Sequence, residues 1–137
     1  GRKVVFTNGC FDLLHAGHVE SLAEAAAEGD LLLVAINDDA SVRALKGPER
    51  PLVTASDRAH VLAALRAVGA VTIFAEPTPL ETIQLVKPAV LVKGAEYAPH
   101  EIVGGREVQS WGGRVVRIAM REGLSTSGLL AQIKRLR

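Results

Sequence analysis

Short apolar runs alternate with amphipathic stretches along the whole chain, and this alternation restricts the fold more than any other feature. The apolar runs lie at 3–7, 31–37, 71–75, 90–93 and 115–118, and they predict buried strands. Strands that are buried on both faces and separated by helices form parallel sheets with helices on each side. The chain is therefore expected to adopt an α/β, Rossmann-like doubly wound fold with a five-stranded parallel sheet.

The helices between these strands are predicted from apolar residues at helical spacing and from capping signals. They are expected at 18–28, 40–45, 56–68, 79–86 and 125–136. Ser56 is the expected N-cap of the third helix, and the segment 95–107 is expected to be loop with a short helix. In the first and third helices, the positions expected to face the core are Val19, Leu22, Ala23, Ala26, Val61, Leu62, Leu65 and Val68.

Length and composition limit the class of protein. The 137 residues suit a single domain spanning 1–137, and the start at Gly1 without an initiating Met suggests a domain excised from a longer chain. With 48% apolar residues the chain is too apolar for a disordered tail, yet no apolar run approaches the ~18 residues of a membrane span. The 16 basic and 15 acidic residues nearly cancel, which argues against a nucleic-acid partner. The single cysteine, Cys10, excludes an internal disulfide and favours a cytoplasmic location.

In doubly wound sheets ligands bind where strands end, and the first strand is followed by a polar loop with two histidines. Residues 7–18 are T-N-G-C-F-D-L-L-H-A-G-H. His15 and His18 stand three apart at a helix start, so they lie on one face of a turn whose free N–H groups attract anions. Three interpretations stay open at this point: hydrogen-bonded histidines at a helix cap, a zinc pair without a third ligand nearby, or a phosphate site.

Polar groups also follow the other strands. A basic segment comes after Asn37 and either clamps phosphate or only keeps a surface solvated. Its cations are Arg43, Lys46, Arg50 and Arg58. The fourth strand ends in K-G-A-E-Y at 93–97, and a lysine there needs an anionic partner or access to solvent. Three consecutive hydroxyls at 125–127 precede the last helix and can bind phosphate oxygens as well as cap it.

The residue types at these strand ends indicate the reaction class. The chain has no carboxylate pair suited to hydrolysis, no Ser/His/Asp motif, and no Walker loop. It also lacks G-x-G-x-x-G, which disfavours a redox domain that binds flavin or dinucleotide. Cations and N–H donors suit nucleotidyl transfer, in which catalysis consists of positioning and charge stabilisation. A phosphomonoester acceptor is largely dianionic near neutral pH, so it needs no general base.

Two motifs resemble those of the nucleotidyltransferase superfamily. H-A-G-H at the end of 7–18 resembles its H-x-G-H signature, and G-L-S-T-S at 123–127 resembles its second motif, I-S-T-[ST]. The segments 37–51 and 91–97 look most like the adenylyltransferase domains of ADP-heptose synthases. This resemblance implies transfer of AMP from ATP to D-glycero-β-D-manno-heptose 1-phosphate, with release of pyrophosphate, in lipopolysaccharide core synthesis. Two alternatives remain: a cytidylyltransferase for glycerol 3-phosphate or another small phosphate or phosphonate, and a non-catalytic nucleotide-binding module.

The same resemblance implies roles for individual residues. The catalytic residues would be His15, His18 and Lys46. The nucleotide would be bound by Asn8, Gly9, Cys10, Phe11, Gly17, Lys93, Gly94, Arg121, Ser125, Thr126 and Ser127. The acceptor would be bound by Asp12, Asn37, Arg50, Arg58, Glu96 and Tyr97, with Asp12 either ordering the loop or touching the acceptor. The resemblance also implies Mg²⁺ carried on the triphosphate with no protein metal site, ATP or CTP with a sugar phosphate as ligands, a homodimer or higher oligomer, and fusion to a sugar kinase domain in the full-length protein.

Overall fold

The computed structural model describes residues 1–119 and 125–136, and this part of the chain contains five strands. The strands are β1 (Val4–Gly9), β2 (Leu31–Asn37), β3 (Ala70–Phe74), β4 (Val90–Gly94) and β5 (Arg114–Ile118). The helices are α1 (Ala16–Ala26), α2 (Asp39–Lys46), α3 (Ala55–Ala63), α4 (Leu80–Val86), α5 (Gly105–Ser110) and α6 (Thr126–Arg135), with a 3₁₀ turn at Pro99–Glu101.

The sheet is parallel throughout, in the order β3-β2-β1-β4-β5, so the winding direction reverses at β1. This confirms the predicted doubly wound sheet. β1 pairs with β2 as far as Gly9, but its pairing with β4 ends where Phe6 meets Leu91. Beyond that point the Thr7 hydroxyl donates to the Val92 carbonyl oxygen at 3.1 Å. β1 and β4 therefore separate toward their carboxyl ends, which opens a crevice where ligands of such folds bind.

Two apolar cores hold the strand ends in place. On one face, Leu22 of α1 and Leu62 of α3 are buried in a cluster with the strands. On the other, Ile83 of α4 and Val108 of α5 join a second cluster around Phe6. Each fully buried aliphatic side chain stabilises the fold by about 1.5–3 kcal/mol. The loops at the carboxyl edge of the sheet are thus built on a rigid base.

The helix boundaries correct several expectations. α1 begins at Ala16, two residues earlier than predicted, because His15 caps it. The predicted Ser56 cap of α3 is wrong: the Thr54 hydroxyl accepts the Asp57 N–H at 3.3 Å, so the helix begins one residue earlier. α3 also ends at Ala63 rather than at 68.

The predicted core faces of α1 and α3 are correct only in part. Leu22, Leu62 and Val68 are buried, and Ala26 and Leu65 pack against the core. Val19 and Val61, in contrast, are 46% and 47% exposed, and Ala23 is exposed as well. The core face of α3 consists of Ala55, Arg58 and Leu62, spaced three and four residues apart. The pattern of apolar residues alone predicts a core face that includes Val61, because it assigns an arginine to the solvent-exposed side of the helix.

The segment 95–107, expected to be loop with a short helix, contains the Pro99–Glu101 turn and the start of α5. The backbone between the two is set by Gly104, which has a φ of +87° and caps α5. A side chain at Gly104 would also press on Ile83 in the core, so only glycine suits the position. None of the helices in the described residues combines the length and the apolar character needed to cross a membrane.

Candidate active site

A cleft of about 720 Å³ opens at the carboxyl edge of the sheet, where β1 and β4 separate. It brings together most of the residues that the sequence singled out. Those that line it are Asn8, Gly9, Cys10, Phe11, Asp12, His18, Asn37, Lys46, Arg50, Lys93, Gly94, Glu96, Tyr97, Ser125, Thr126 and Ser127. They come from the β1–α1 loop, the ends of β2 and α2, the end of β4 and the start of α6. Segments far apart in sequence therefore meet at one edge, as parallel strands require.

Three described residues of the predicted site are not on the wall of this cleft. His15 lies behind His18, with their ring centroids 4.0 Å apart. Gly17 is buried in the first turn of α1. Arg58 is only 2% exposed and lies beneath the cleft, so direct contact with the acceptor, as expected from the sequence, is not supported. Arg121 lies outside the described residues.

The two histidines form the N-terminal cap of α1. His15 Nδ1 accepts the Gly17 N–H at 3.1 Å, and His18 Nδ1 accepts the backbone N–H of His15 at 3.2 Å. This is a capping box in which imidazoles replace the usual hydroxyl and carboxylate. Imidazole is an unusual cap, so sequence rules placed the helix start too late.

The capping box also fixes where each imidazole carries its proton. A nitrogen that accepts an N–H bond holds no proton, so each neutral ring carries its proton on Nε2. Burial, and to a smaller extent the charge of His15, lowers the pKa of His18 to about 4. His18 is therefore neutral near pH 7, and its Nε2–H is a donor on the cleft wall without an acceptor in the described residues.

Phe11 packs against His18 and depends on the glycine two residues before it. Phe11 has a φ of +50°, a left-handed conformation that is strained for an aromatic residue. Its ring lies against Gly9, where a Cβ atom would come within 2.9 Å of Phe11 Cε2. The same ring lies 5.4 Å from the His18 ring, measured between centroids. Gly9 thus leaves the space in which Phe11 supports the imidazole.

Lys93 spans the crevice between β4 and β1. Its Nζ donates to Asn8 Oδ1 at 3.3 Å and lies 5.0 Å from the centroid of the Tyr97 ring. Burial lowers the pKa of Lys93, and the negative charge of Glu96 opposes that shift. The Glu96 carboxylate folds back over Gly94.

Asp12 is buried and fully hydrogen-bonded. Its side chain is 1% exposed and accepts the Arg50 Nε–H at 2.7 Å. The backbone N–H groups of Leu52 and Val53 donate to the same carboxylate at 2.9 Å each. Burial raises the pKa of Asp12, but these hydrogen bonds and the charge of Arg50 bring it below its ordinary value. Of the two expectations for Asp12, the structure supports the ordering of a loop.

Arg58 joins three segments below the cleft. Its Nε donates to the Val53 carbonyl oxygen at 2.9 Å, and its Nη1 donates to those of Cys10 and Asn37 at 2.7 and 2.9 Å. Its Nη2 forms an ion pair with Asp39 at 2.8 Å. The guanidinium thus fixes the β1–α1 loop, the end of β2 and the start of α3 relative to one another.

Lys46 and the start of α6 complete the cleft. Lys46 is the exposed last residue of α2, which ends at Gly47 with a φ of +107°. Within the residues described, its ammonium has no anionic partner. On the opposite side, Ser125 Oγ caps α6 by accepting the Gly128 N–H at 2.9 Å, and Thr126 Oγ1 donates to the Leu13 carbonyl oxygen at 2.9 Å. The N–H groups of Thr126 and Ser127, which have no acceptor among the described residues, are available for an anion.

The sequence reading missed an apolar part of the wall. It consists of Leu45, Phe74, Pro77 and Pro79, from the end of α2 and from β3 and the loop after it. This loop carries no charge or hydroxyl pattern that marks a phosphate site, so it gave no signal. The topology alone could have indicated it, because the carboxyl end of β3 lies at the same edge as those of β1 and β2.

The described residues include no group of three or more His, Cys, Asp and Glu side chains that could hold a metal ion. The Asp12 carboxylate, in the loop between β1 and α1, already accepts hydrogen bonds from Arg50 and from two backbone N–H groups. Among the described residues, His18, Lys46 and Arg50 bring N–H donors or positive charge to this cleft. Such a wall is suited to anionic oxygens, and the chemistry it can perform is the stabilisation of charge on phosphate groups.

Two curated relatives, both called bifunctional protein HldE, are similar to nearly the whole chain. The protein from Azorhizobium caulinodans is 56% identical over 134 residues, which are 98% of this chain and 28% of the relative. The protein from Geobacter metallireducens is 53% identical over 135 residues, again 98% of this chain and 28% of the relative. The chain thus spans about 28% of the length of the curated relatives it matches.

Solved structures share the fold. The lipopolysaccharide core biosynthesis protein from Thermoplasma volcanium superposes with a TM-score of 0.77 at 25% identity, over 89% of this chain and 100% of that one. A pantoate-β-alanine ligase from Francisella tularensis, with a TM-score of 0.60 at 14% identity over 98% of this chain and 72% of that one, shares the fold alone. The family model described as cytidylyltransferase-like matches residues 6–129, from β1 into α6. The nucleotidyltransferase resemblance is thereby confirmed, and the chain belongs to the cytidylyltransferase-like family.

Proposed function

We propose that this chain transfers AMP from ATP to a sugar 1-phosphate, D-glycero-β-D-manno-heptose 1-phosphate, and produces ADP-heptose and pyrophosphate. One observation supports this most directly: His18, Lys46 and the start of α6 line one cleft at the point where the winding reverses. These groups donate hydrogen bonds or carry positive charge, and they come from three separate elements. Such an arrangement suits a triphosphate and the charge that develops on it during transfer.

The reaction needs no proton transfer from the protein. An oxygen of the acceptor phosphate attacks the α-phosphorus of ATP and forms a new P–O bond. The bond from the α-phosphorus to the oxygen that bridges to the β-phosphate breaks, and pyrophosphate leaves with that electron pair. The acceptor is largely a dianion near pH 7, since its second pKa is ~6. Catalysis therefore depends on holding both substrates in line and on stabilising negative charge.

We assign the charge stabilisation to His18 and Lys46. His18 donates its Nε2–H, held in place by the capping bond at Nδ1 and by the ring of Phe11. His15 acts through His18, because its backbone N–H makes that capping bond. The exposed ammonium of Lys46 reaches a phosphate from the other side of the cleft. Serine hydroxyls and backbone N–H groups at the start of α6 bind the remaining phosphate oxygens, while the Thr126 hydroxyl is bonded to the Leu13 carbonyl oxygen.

Mg²⁺ accompanies the triphosphate in this proposal and neutralises part of its charge. The donor set fits an ion that arrives on the substrate, because the described residues contain no group of three or more His, Cys, Asp and Glu side chains that could hold a metal ion. The described residues would then contact the phosphate oxygens and not the ion itself. In this proposal the metal is a part of the substrate.

The choice of ATP and a heptose 1-phosphate rests on similarity to other proteins. The segments 37–51 and 91–97 resemble ADP-heptose synthases, and the two curated relatives described above are called bifunctional protein HldE. Lys93, Glu96 and Tyr97 stand where acceptor hydroxyls would be recognised. The word bifunctional in those names agrees with a second catalytic domain outside this chain, which we infer to be a sugar kinase. An assembly of two or more chains and a cytoplasmic location remain predictions from the sequence.

A matrix of nucleotides against acceptors tests the proposal. ATP and CTP are each combined with D-glycero-β-D-manno-heptose 1-phosphate and with glycerol 3-phosphate, in the presence of Mg²⁺, and pyrophosphate release is measured. We expect ATP with the heptose phosphate to give the highest kcat/KM, because unpaired polar groups penalise an acceptor without the sugar hydroxyls. A preference for CTP with the smaller phosphate would keep the family and overturn the substrate. Binding of ATP without pyrophosphate from any pair would indicate a nucleotide-binding module.

A further inference from the structure

Two arginines lie near the β1–α1 loop, and only one of them has donors to spare. Arg58 makes hydrogen bonds through all three of its nitrogens. Arg50 is bonded through Nε alone, to Asp12 Oδ2 at 2.7 Å. In the part of the chain that the structure describes, the two terminal nitrogens of Arg50 have no protein partner. Arg50 also lines the cleft, with its side chain 13% exposed, so these nitrogens are accessible to a ligand there.

We propose that Asp12 is a positioning residue that presents the Arg50 guanidinium to a phosphate group bound in the cleft. The inference rests on the proposed function, because the phosphate belongs to ATP or to the acceptor. Asp12 holds Nε from one side, and the planar guanidinium then directs the two N–H groups at its far end away from the carboxylate. This pair of parallel N–H donors matches two oxygens of a phosphate group.

Asp12 fixes the backbone of this segment as well as the side chain. Its carboxylate accepts the N–H groups of Leu52 and Val53, which follow Arg50 by two and three residues. Arg58 donates to the carbonyl oxygens of Val53, in the loop that carries Arg50, and of Cys10, in the loop that carries Asp12. The loop that carries Arg50 is thus tied to the loop that leads into the histidine cap. A change in one loop would move both sets of phosphate contacts.

The surroundings of Arg50 favour an anion over a simple structural ion pair. The Asp12 carboxylate also accepts three contacts from the uncharged backbone N–H groups of Leu52 and Val53, so it would remain satisfied in part without Arg50. Lys46, four residues before Arg50, lines the same cleft and has no anionic partner among the described residues. Asp12 already balances the charge of Arg50, so Lys46 leaves this group with a net positive charge. A phosphate group bound by both cations would neutralise that charge.

The first experiment changes Arg50. In Arg50→Gln and Arg50→Lys, the KM values for ATP and for the heptose 1-phosphate are measured separately, with calorimetric binding of ATP and of inorganic tripolyphosphate. We expect the KM of one phosphate substrate to rise about 10- to 100-fold in Arg50→Gln, the size expected for a hydrogen bond to a charged group. The substrate whose KM rises identifies which phosphate Arg50 binds. Lysine keeps the positive charge but lacks the planar guanidinium. We therefore expect the increase in log KM in Arg50→Lys to be more than half of the increase in Arg50→Gln.

The second experiment changes Asp12, alone and together with Arg50. Asp12→Asn is expected to raise the same KM as Arg50→Gln, and the double variant is expected to resemble Arg50→Gln alone, because Asp12 acts through that residue. Glu28→Gln is the matched control. It removes the carboxylate of another arginine pair, Glu28 with Arg114, far from the cleft and with side chains 32% and 55% exposed. We expect this control to leave both KM values within twofold.

Several results would overturn the inference. It is wrong if Arg50→Gln leaves both KM values and the binding of tripolyphosphate within twofold of the wild type. It is also wrong if Arg50→Lys restores full affinity, since charge without orientation would then suffice, or if the effects of Asp12→Asn and Arg50→Gln on KM simply add. Should Asp12→Asn fail to fold, the Arg50 variants decide alone. If the wild type turns over no substrate pair while Arg50→Gln still weakens tripolyphosphate, the proposed function fails and this inference stands.

Discussion

The polar groups beneath the cleft have their hydrogen-bond partners within the protein, whereas several polar groups on the cleft wall have none among the described residues. We call Asp12, Asp39 and Arg58, with the backbone groups they bind, the buried network. We call His18, Lys46 and the terminal nitrogens of Arg50 the donor wall. In the buried network each polar side chain has partners at 2.7–3.0 Å. On the donor wall, charged or N–H groups point into the cleft without a protein acceptor in the described residues.

This difference in hydrogen bonding separates the polar residues that stabilise the fold from those that are available to bind a ligand. Sequence alone gives Arg50 and Arg58 the same status, because both are cations that follow β2. A buried donor whose partners are all within the protein stabilises the native state, while a donor left open toward a cleft costs desolvation energy unless a ligand accepts its bond. Variants of the buried network should therefore change the free energy of unfolding, and variants of the donor wall should change kinetics.

The largest effect on stability is expected for Arg58→Ala. It leaves three carbonyl oxygens without their donor, whereas Asp39 is 39% exposed and keeps the Ala55 N–H. Each buried acceptor left without a partner costs about 1–3 kcal/mol, so we expect the free energy of unfolding in urea to fall by about 3–5 kcal/mol. Arg43→Ala, which removes an exposed cation from the same segment, is the control and should change it by less than about 0.5 kcal/mol. Unchanged stability with a large loss of kcat would move Arg58 from the buried network to the donor wall.

The hydrogen bonds of the buried network could not be predicted from the sequence, although most of the sheet could. The five strands, their parallel orientation and the ligand-binding edge are predicted from local patterns of apolar residues. The predicted strand bounds agree with the structure to within two residues. The bonds from Asp12 to Arg50 and from Arg58 to Cys10 join residues that are 38 and 48 positions apart. No periodicity links such positions, so only the folded chain reveals which arginine is committed and which is free.

Local rules also failed where a polar residue takes an unusual place. The core face of α3 includes Arg58, which a count of apolar residues assigns to solvent. The start of α1 is set by His15, an imidazole in a position where serine, threonine, asparagine or aspartate is the common choice. Both departures lie within or just below the candidate active site. Sequence rules describe average stability, and these positions serve the geometry of the cleft instead.

On the donor wall the largest kinetic effect is expected for His18. Loss of one preorganised donor at a developing charge lowers kcat by about 10²–10³-fold, and we expect this range for both His18→Ala and His18→Asn. The two variants differ in stability. The asparagine side chain can still accept the His15 N–H, so only His18→Ala should lose the cap, at a cost of about 1 kcal/mol. A His18→Asn variant with near-normal turnover would contradict the assignment of the Nε2–H donor.

A smaller kinetic effect is expected when the support of His18 is disturbed from behind. In Gly9→Ala the new Cβ would stand 2.9 Å from Phe11 Cε2, so the ring that packs on His18 has to shift. Misplacement of a catalytic group by a fraction of an ångström to an ångström lowers the rate by up to about 10²-fold, and we expect a loss of about tenfold in kcat. Gly105→Ala is the control, because its Cβ would meet Val115 at an ordinary 3.7 Å. Equal kinetics in the two variants would show that Phe11 does not position His18.

The smallest effect expected is a pH dependence of stability that belongs to His18. Its folded pKa of about 4 lies below the ordinary 6.5, so between these values the unfolded chain binds a proton that the folded chain does not. The contribution of His18 is therefore fully present above pH 6.5 and is lost as pH falls from 6.5 toward 4. Asp12 has a lowered pKa, so its contribution to stability is present above its ordinary pKa of 3.8 and lost only below it.

Urea unfolding of the wild type and of His18→Asn between pH 7 and 5 isolates the contribution of the histidine. The wild type should lose more stability on acidification, and the two curves of unfolding free energy against pH should run parallel above pH 6.5. A steeper loss in His18→Asn would mean that the imidazole accepts a proton in the folded state, which would move His18 from a neutral donor to a charged one.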